Sequence, residues 1–496
     1  MKSKTFWIIF AIAAALRIAL VWQAPLWYDE NFSLIVSRLP VDLSWQAILG
    51  DVHPPLYYLL IRPIAQLSSI PWLIRLPSIA FSLGAIFLAW RIFNEWKIPE
   101  RVQIVALALM TALPFQIYFA QEARMYALLE FLVLLAAYDF IKGKWIHLTV
   151  TCILILYTQN YGLFYVATIG LLVLLNNIAI LDVPSGKITL NWRSISSVIT
   201  PVILWLPWVI VLLQQMQNIT GKYWITAVFT SPASLLNIFL QLFLGGSSPG
   251  ELVPLAWFVT FAALIIGLAY LFAKRYDHWL SLLLLALLPF TLAIIASLAW
   301  QPVMLYRPLI GVTPFLILLV SYPIELLGDF KLVDRRAIYL ACFIFPVVII
   351  SAKSYYQYNP EQKGGPHPNI TDGLAYVRAH WEPGDIIVHT SDGSLINLWI
   401  YAQGMPQYKL PDCGHEIGSL SDQTRQALGI PDISLNEILN RTGRTWVIAQ
   451  ATPLDAACFS NQIAPLTQGK AIFPMDDNQF ITSGIWLDSH ITPSNH

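Results

Sequence analysis

The chain has 496 residues, of which 57% are hydrophobic and only 12% charged, with a formal net charge of zero. Average soluble domains carry about 25% charged residues, so a soluble enzyme built around one large core is excluded. The zero balance, without a basic run or a zinc-finger spacing, gives no reason to expect a nucleic-acid partner.

Hydrophobic runs of near-spanning length recur over roughly the first 350 positions and predict an all-α polytopic membrane protein. The first run, residues 5–24, follows Lys2 and Lys4 and reads as an uncleaved helix with a cytoplasmic N-terminus. Residues 25–72 are too polar and proline-broken for a span and read as one long external loop. Inside it, residues 53–65 are apolar but short, which suits an interfacial helix. Further spans are expected near 73–93, 102–119, 124–141, 145–157, 161–180, 196–213, 252–273, 279–299, 305–327 and 337–352, about eleven with the first. Residues 232–246 form a second short apolar piece in an external loop. With this alternation most loop lysines and arginines lie on the cytoplasmic side, as the positive-inside rule asks, and the C-terminus lies outside.

Composition changes at about Lys353. Residues 385–390 and 445–449 read as buried strands and 371–380 as a helix. The expected organisation is a transmembrane domain, 1–352, and an extracytoplasmic soluble α/β domain, 353–496. Cys152 and Cys342 fall in apolar segments. Cys413 and Cys458 fall in the polar tail without metal-ligand spacing, where a disulfide and two free thiols are both compatible with the sequence.

Chemistry-bearing residues collect at the outer face. Asp29 and Glu30 follow the first span immediately. A carboxylate there can act as a general base toward a hydroxyl, or hold a cation. On an extended segment the two side chains point apart, so one acts and the other supports. His53, before Pro54-Pro55, is a donor to a leaving phosphate, a hydrogen-bond partner for Asp29, or a structural cap. Arg75 and Arg124 begin spans, where snorkelling is the plain explanation. A pair of Glu122 with either arginine would instead build a cavity wall. Arg307, between Tyr306 and Pro308 at the start of a late span, suits two-pronged contact with a phosphate. Tyr57, Tyr58, Gln121, Tyr126, Tyr157 and Tyr161 complete the candidate cavity, although Tyr57 and Tyr58, each taken singly, read better as interfacial-belt residues. Arg17 and Glu130 lie within spans, where mutual or network pairing is as good a reading as function.

Five stretches in order carry a resemblance: Trp27-Tyr28-Asp29-Glu30, His53-Pro54-Pro55-Leu56-Tyr57-Tyr58, Arg75-Leu76-Pro77-Ser78, Gln121-Glu122-Ala123-Arg124-Met125-Tyr126 and Tyr157-Thr158-Gln159-Asn160-Tyr161-Gly162. Across about residues 5–330 the chain resembles the GT-C class of polytopic glycosyltransferases, in particular the protein O-mannosyltransferase and aminoarabinose-transferase-like branch. The resemblance implies an inverting enzyme at the non-cytoplasmic face of the cell membrane. Such an enzyme moves a sugar from a polyprenyl-phosphate donor to a hydroxyl-bearing acceptor on a protein, lipid or glycan. It maps the catalytic carboxylate to Asp29, with Glu30 beside it. It maps the phosphate-side cation to His53; Arg75, Arg124, Tyr126 and Arg307 are the further candidates for donor-phosphate contact. Relatives carry Lys where this chain has His53, which shifts weight to Arg307. No metal site is expected; a divalent ion is used by oligosaccharyltransferase-type relatives, but the acids here are too few to argue for one. A lipid-linked sugar flippase and an O-antigen ligase or polymerase are the alternatives. No inverted repeat supports the first.

Overall fold

The computed structural model describes residues 1, 3–19, 21–22, 25–178, 191–219, 232–244, 253–274, 276–299, 303–327, 368–411, 420–451, 473–477 and 482–487. Its helices begin with α1 (Ser3–Ile18), α2 (Tyr28–Arg38), α3 (Val41–Gly50), α4 (Leu56–Leu67) and α5 (Pro71–Glu95). They continue with α6 (Glu100–Ala112), α7 (Pro114–Ala120), α8 (Tyr126–Ile141), α9 (Trp145–Thr158), α10 (Gly162–Asn177) and α11 (Trp192–Ile219). Then come α12 (Pro232–Leu244), α13 (Val253–Lys274), α14 (Trp279–Ala299), a 3-10 turn (Arg307–Val312), α15 (Thr313–Ser321) and a second 3-10 turn (Tyr322–Leu327).

Five described helical segments are long and apolar enough to cross a membrane: Pro71–Glu95, Trp192–Met216, Trp257–Lys274, Trp279–Ala299 and Arg307–Leu326. A sixth is the pair α6 and α7, bent by 55°. The sequence reading has one straight span there. Pro114 accounts for the break, because a proline disfavours helical backbone in the residue before it, and Leu113 is extended. The other segments read as spans are shorter apolar helices, such as α9 and α10, or, for residues 337–352, lie outside the described residues.

The expected first loop is a layer of three helices, α2, α3 and α4. Arg38 Nε donates to the Ala65 carbonyl (2.7 Å) and Arg62 Nη1 to the Ser37 carbonyl (3.1 Å), which locks α2 to α4 in both directions. Beneath them, Arg17 is fully buried in α1. It donates to Ser82 Oγ (2.8 Å) and to the carbonyls of Ala13, Thr111 and Met110, stapling α1 to α5 and α6. Glu130 accepts from Gln116 Nε2 at 2.8 Å, and Gln116 also donates to Thr313 Oγ1 at 2.7 Å, tying α7, α8 and α15. Both intramembrane charges are thus absorbed into hydrogen-bond networks, as burial in apolar surroundings requires.

The C-terminal part contains α16 (Pro368–Ala379), β1 (Ile386–His389), α17 (Asp392–Trp399), β2 (Gln407–Lys409), α18 (Asp422–Leu428), α19 (Leu435–Leu439), β3 (Thr445–Ala451), β4 (Phe473–Asp477) and β5 (Thr482–Leu487). One sheet has the order β2-β1-β3-β5-β4, with β1 parallel to β2 and β3, and the last pairs antiparallel. Ser391 and Ser421 cap α17 and α18 by accepting from the backbone N–H three residues on. The α/β part sits directly on the first-loop layer. Leu395, Ile396, Ile400, Ala427 and Leu428 join the membrane part's own apolar core. Asn31 Nδ2 reaches the Asn397 carbonyl (3.4 Å), and the Leu26 N–H donates to the Tyr401 hydroxyl (2.7 Å). The expected boundary at 352/353, and Cys413 and Cys458, lie outside the described residues.

Candidate active site

The site is built on the first turn of α2. Adjacent helical residues point about 100° apart, so Asp29 and Glu30 cannot share a face. Glu30 turns inward and is fully buried. Its Oε1 accepts from Arg75 Nε (2.8 Å) and the Ala123 N–H (2.8 Å). Its Oε2 accepts from Arg75 Nη2 (2.7 Å) and the Trp27 N–H (3.2 Å). Arg75 also donates to the carbonyls of Val21 (2.8 Å) and Pro25 (3.0 Å). This clamp fastens α2, α5 and the loop before α8. Two of the expected site residues are thus engaged with each other, and the acid paired with Arg75 here is Glu30, where the sequence offered Glu122. The physical reason is desolvation. A buried fork that abandons a buried carboxylate leaves two charges uncompensated.

Asp29 turns the other way and keeps 21% of its side-chain surface. Its Oδ2 accepts from Arg307 Nη1 at 3.0 Å, across 278 residues of sequence, and Arg307 keeps 16%. The Arg307 guanidinium also lies 5.2 Å from the Trp27 ring centroid and 5.9 Å from that of Tyr306. Two tyrosines one helical turn apart at the head of α10 position it. The Tyr161 hydroxyl donates to the Val303 carbonyl and accepts from the Leu305 N–H (3.1 Å). The Tyr165 hydroxyl donates to the Pro308 carbonyl (2.8 Å). Gly311 makes this approach possible, since a Cβ there would meet the Tyr165 ring at 2.9 Å. Tyr165 has no part in the sequence reading; its spacing of four from Tyr161 is the signal that could have found it.

A second cluster adjoins the first. Arg124 Nη1 donates to Ser33 Oγ (2.9 Å) and to the Asp29 carbonyl (3.3 Å). Its Nη2 lies 3.4 Å from both ring nitrogens of His53. His53 Nδ1 is 3.1 Å from Asp51 Oδ2, which also accepts from the Tyr58 hydroxyl at 2.7 Å. The carboxylate that His53 meets is therefore Asp51, not Asp29. Burial acts to raise the Asp51 pKa, but His53, Arg124 and the Tyr58 hydroxyl together hold the carboxyl below its ordinary value. Asp51 has no part in the sequence reading; its place two residues before His53 is the signal that could have found it.

The remaining candidates are mostly braces. Gln121 Nε2 donates to the carbonyls of Leu16 (3.2 Å), Arg17 (3.0 Å) and Ala19 (2.8 Å), closing the C-terminal end of α1. The Tyr157 hydroxyl donates to the Leu204 carbonyl (2.9 Å) and ties α9 to α11. Tyr57 is fully buried with its hydroxyl 3.4 Å from Ser78 Oγ. Tyr126 is buried edge-on to Phe119, and Glu122 is fully buried. Among the described residues no group of three His, Cys, Asp or Glu side chains could hold a metal ion.

No family model and no curated protein matches the chain. Solved structures do. ArnT from Cupriavidus metallidurans in the apo state is 12% identical over 98% of each chain, with a TM-score of 0.59. The same protein bound to undecaprenyl phosphate gives 12%, 98% of each chain and 0.51. The archaeal oligosaccharyltransferase AglB from Archaeoglobus fulgidus, in complex with an inhibitory peptide and a dolichol-phosphate, is 11% identical over 90% of this chain and 69% of its own, with a TM-score of 0.50. This chain has the GT-C fold. It is a multi-pass membrane protein of that architecture. The likeness to ArnT also extends past the stretch that carries the sequence resemblance, to the α/β part packed on α2 and α3.

Proposed function

We propose that the protein is an inverting glycosyltransferase that moves a sugar from a polyprenyl-phosphate donor to a hydroxyl acceptor at the outer face of the cell membrane. The observation that carries this reading is the contact between Asp29 and Arg307. A partly exposed carboxylate and a partly exposed guanidinium meet at 3.0 Å at the end of the first-loop layer, within a GT-C fold. ArnT with undecaprenyl phosphate and AglB with a dolichol-phosphate and a peptide support a lipid-phosphate donor and a separate acceptor.

The geometry suggests an order of events. Without substrate, Asp29 neutralises Arg307. A donor phosphate takes over the guanidinium, whose fork suits two phosphate oxygens, and Asp29 is released. Asp29 then accepts the proton of the acceptor hydroxyl as its oxygen attacks the anomeric carbon from the side opposite the phosphate. The bond from that carbon to the phosphate oxygen breaks, its electron pair stays on the phosphate, and Arg307 meets the new charge. Trp27 and Tyr306, facing the guanidinium, keep it in plane, while Tyr161 and Tyr165 fix its backbone.

The test is transfer of radiolabelled sugar from polyprenyl-phosphate donors by the purified protein in lipid. Arg307→Lys, which keeps the charge and loses the fork, should raise the donor KM about tenfold. No transfer from any such donor, together with movement of the intact lipid-linked sugar across a vesicle, would replace the enzyme by a flippase.

A further inference from the structure

We infer that Tyr401, in the α/β part, is a positioning residue for Asp29: its hydroxyl fixes the backbone from which the first turn of α2 grows. The inference rests on the glycosyltransferase reading. It gives the α/β part a share in the chemistry, which that reading leaves to the membrane part.

The residue before α2 is Trp27, and no side chain caps the helix from that position. The direction in which Asp29 points is therefore set by how the chain enters the helix. That entry is held at successive backbone groups. Arg75 Nη2 donates to the Pro25 carbonyl (3.0 Å), Asn31 Nδ2 donates to the Leu26 carbonyl (2.9 Å), and the Trp27 N–H donates to Glu30 Oε2 (3.2 Å). These three partners belong to the membrane part. The Leu26 N–H instead donates to the Tyr401 hydroxyl at 2.7 Å, 375 positions later in the chain. Leu26 is fully buried, so no water reaches its N–H when the hydroxyl is removed. A buried donor without an acceptor is costly, and the entry must shift to find another. Asn31 is steadied from the same side, at the Asn397 carbonyl (3.4 Å).

Tyr401 is itself held. It follows α17 by two residues, its carbonyl accepts from Arg378 Nη2 on α16, and its side chain packs against the core of Leu374, Val377, Leu398 and Trp446. What it holds leads directly to the reacting groups. The Trp27 ring centroid lies 5.2 Å from the Arg307 guanidinium, and Asp29 Oδ2 meets Arg307 Nη1 at 3.0 Å. The backbone around Arg307 is fixed separately, by Tyr161 and Tyr165. Loss of the Tyr401 hydroxyl thus moves the base and leaves the guanidinium in place.

The experiment uses the full-length protein in lipid with a radiolabelled polyprenyl-phosphate sugar. Tyr401→Phe should lower kcat about tenfold, since misplacing a reacting group by about 1 Å can cost ~100-fold. The donor KM and equilibrium binding of undecaprenyl phosphate should stay within about threefold of wild type, because Arg307 is held independently. Thr424→Val cuts a different contact between the two parts, Thr424 Oγ1 to the Ala47 carbonyl (3.2 Å), away from the entry to α2. Its kcat should stay within about twofold of wild type. In the Asp29→Asn background, Tyr401→Phe should slow the residual transfer less than about threefold, because the group it positions is gone. An unchanged kcat in Tyr401→Phe would overturn the inference. So would an equal loss in Thr424→Val, or an equal loss with and without the Asp29 carboxylate; either would leave Tyr401 a packing residue. If the wild type transfers no sugar at all, the functional reading fails instead, so the two failures are separable.

Discussion

Asp29→Asn separates the base from the ion pair. The substitution keeps the side-chain shape and the backbone carbonyl that Arg124 contacts, but removes the proton acceptor. A general base contributes typically ~100- to 10,000-fold, which is about 2.7 to 5.4 kcal/mol of barrier. The kcat for transfer should fall by that range. Donor binding should move the other way. Arg307 is paired with Asp29, with 16% and 21% of the two side chains exposed. An ion pair this open is worth about 0 to 1 kcal/mol. Removing the carboxylate therefore frees the guanidinium and should tighten binding of polyprenyl phosphate by up to about fivefold. The assay pairs single-turnover transfer with equilibrium binding of polyprenyl phosphate to the purified variant in lipid. Transfer within about threefold of wild type, or a loss of phosphate binding, would refute the assignment of Asp29 as base and competitor for Arg307.

Glu30→Gln attacks the clamp and not the chemistry: breaking a buried ion pair costs about 3–5 kcal/mol, so the variant should melt well below wild type in a thermal unfolding scan. Surviving folded protein with a normal melting point and no turnover would instead return Glu30 to catalysis. Tyr161→Phe removes the hydroxyl that holds the Val303 carbonyl and the Leu305 N–H ahead of Arg307. One hydrogen bond nets about 0.5–1.5 kcal/mol, so transfer should slow by roughly two- to tenfold while the melting point barely moves. Gly50→Val tests the seat of the α/β part on α3, where even a Cβ would lie 2.5 Å from Ser421 Oγ and from Thr424 Oγ1. Overpacking of about 1–3 kcal/mol should expose the 420–451 region to protease faster than in wild type, and unchanged digestion would show that the contact is not tight in solution.

Much of this protein is legible in one dimension because membrane insertion depends on local composition. The runs at 73–93 and 279–299 are apolar over a spanning length, and the structure has single long helices there. The strands at 386–389 and 445–451 are short apolar runs, also a local signal. The ordered set around Asp29, His53, Arg75 and Arg124 pointed to the GT-C fold without any coordinates. Local pattern fails at the bend before Pro114, where one apolar run holds two helices, and in the pairing of charges. Asp29 and Glu30 look equivalent in sequence; the rotation of one residue in α2 sends one to the surface and the other into a buried clamp. Arg75 and Arg307 look equally suited to a phosphate, yet Arg75 is taken by a carboxylate 45 residues away and Arg307 meets one 278 residues away. Asp51 acquires meaning only when α4 and the loop before α8 bring Tyr58 and Arg124 beside His53. Hydrophobic runs specify that helices form and enter the bilayer, whereas the partner of each buried charge depends on how those helices pack, because desolvation makes a buried charge take whichever counter-charge or hydrogen-bonding group the packing brings within reach.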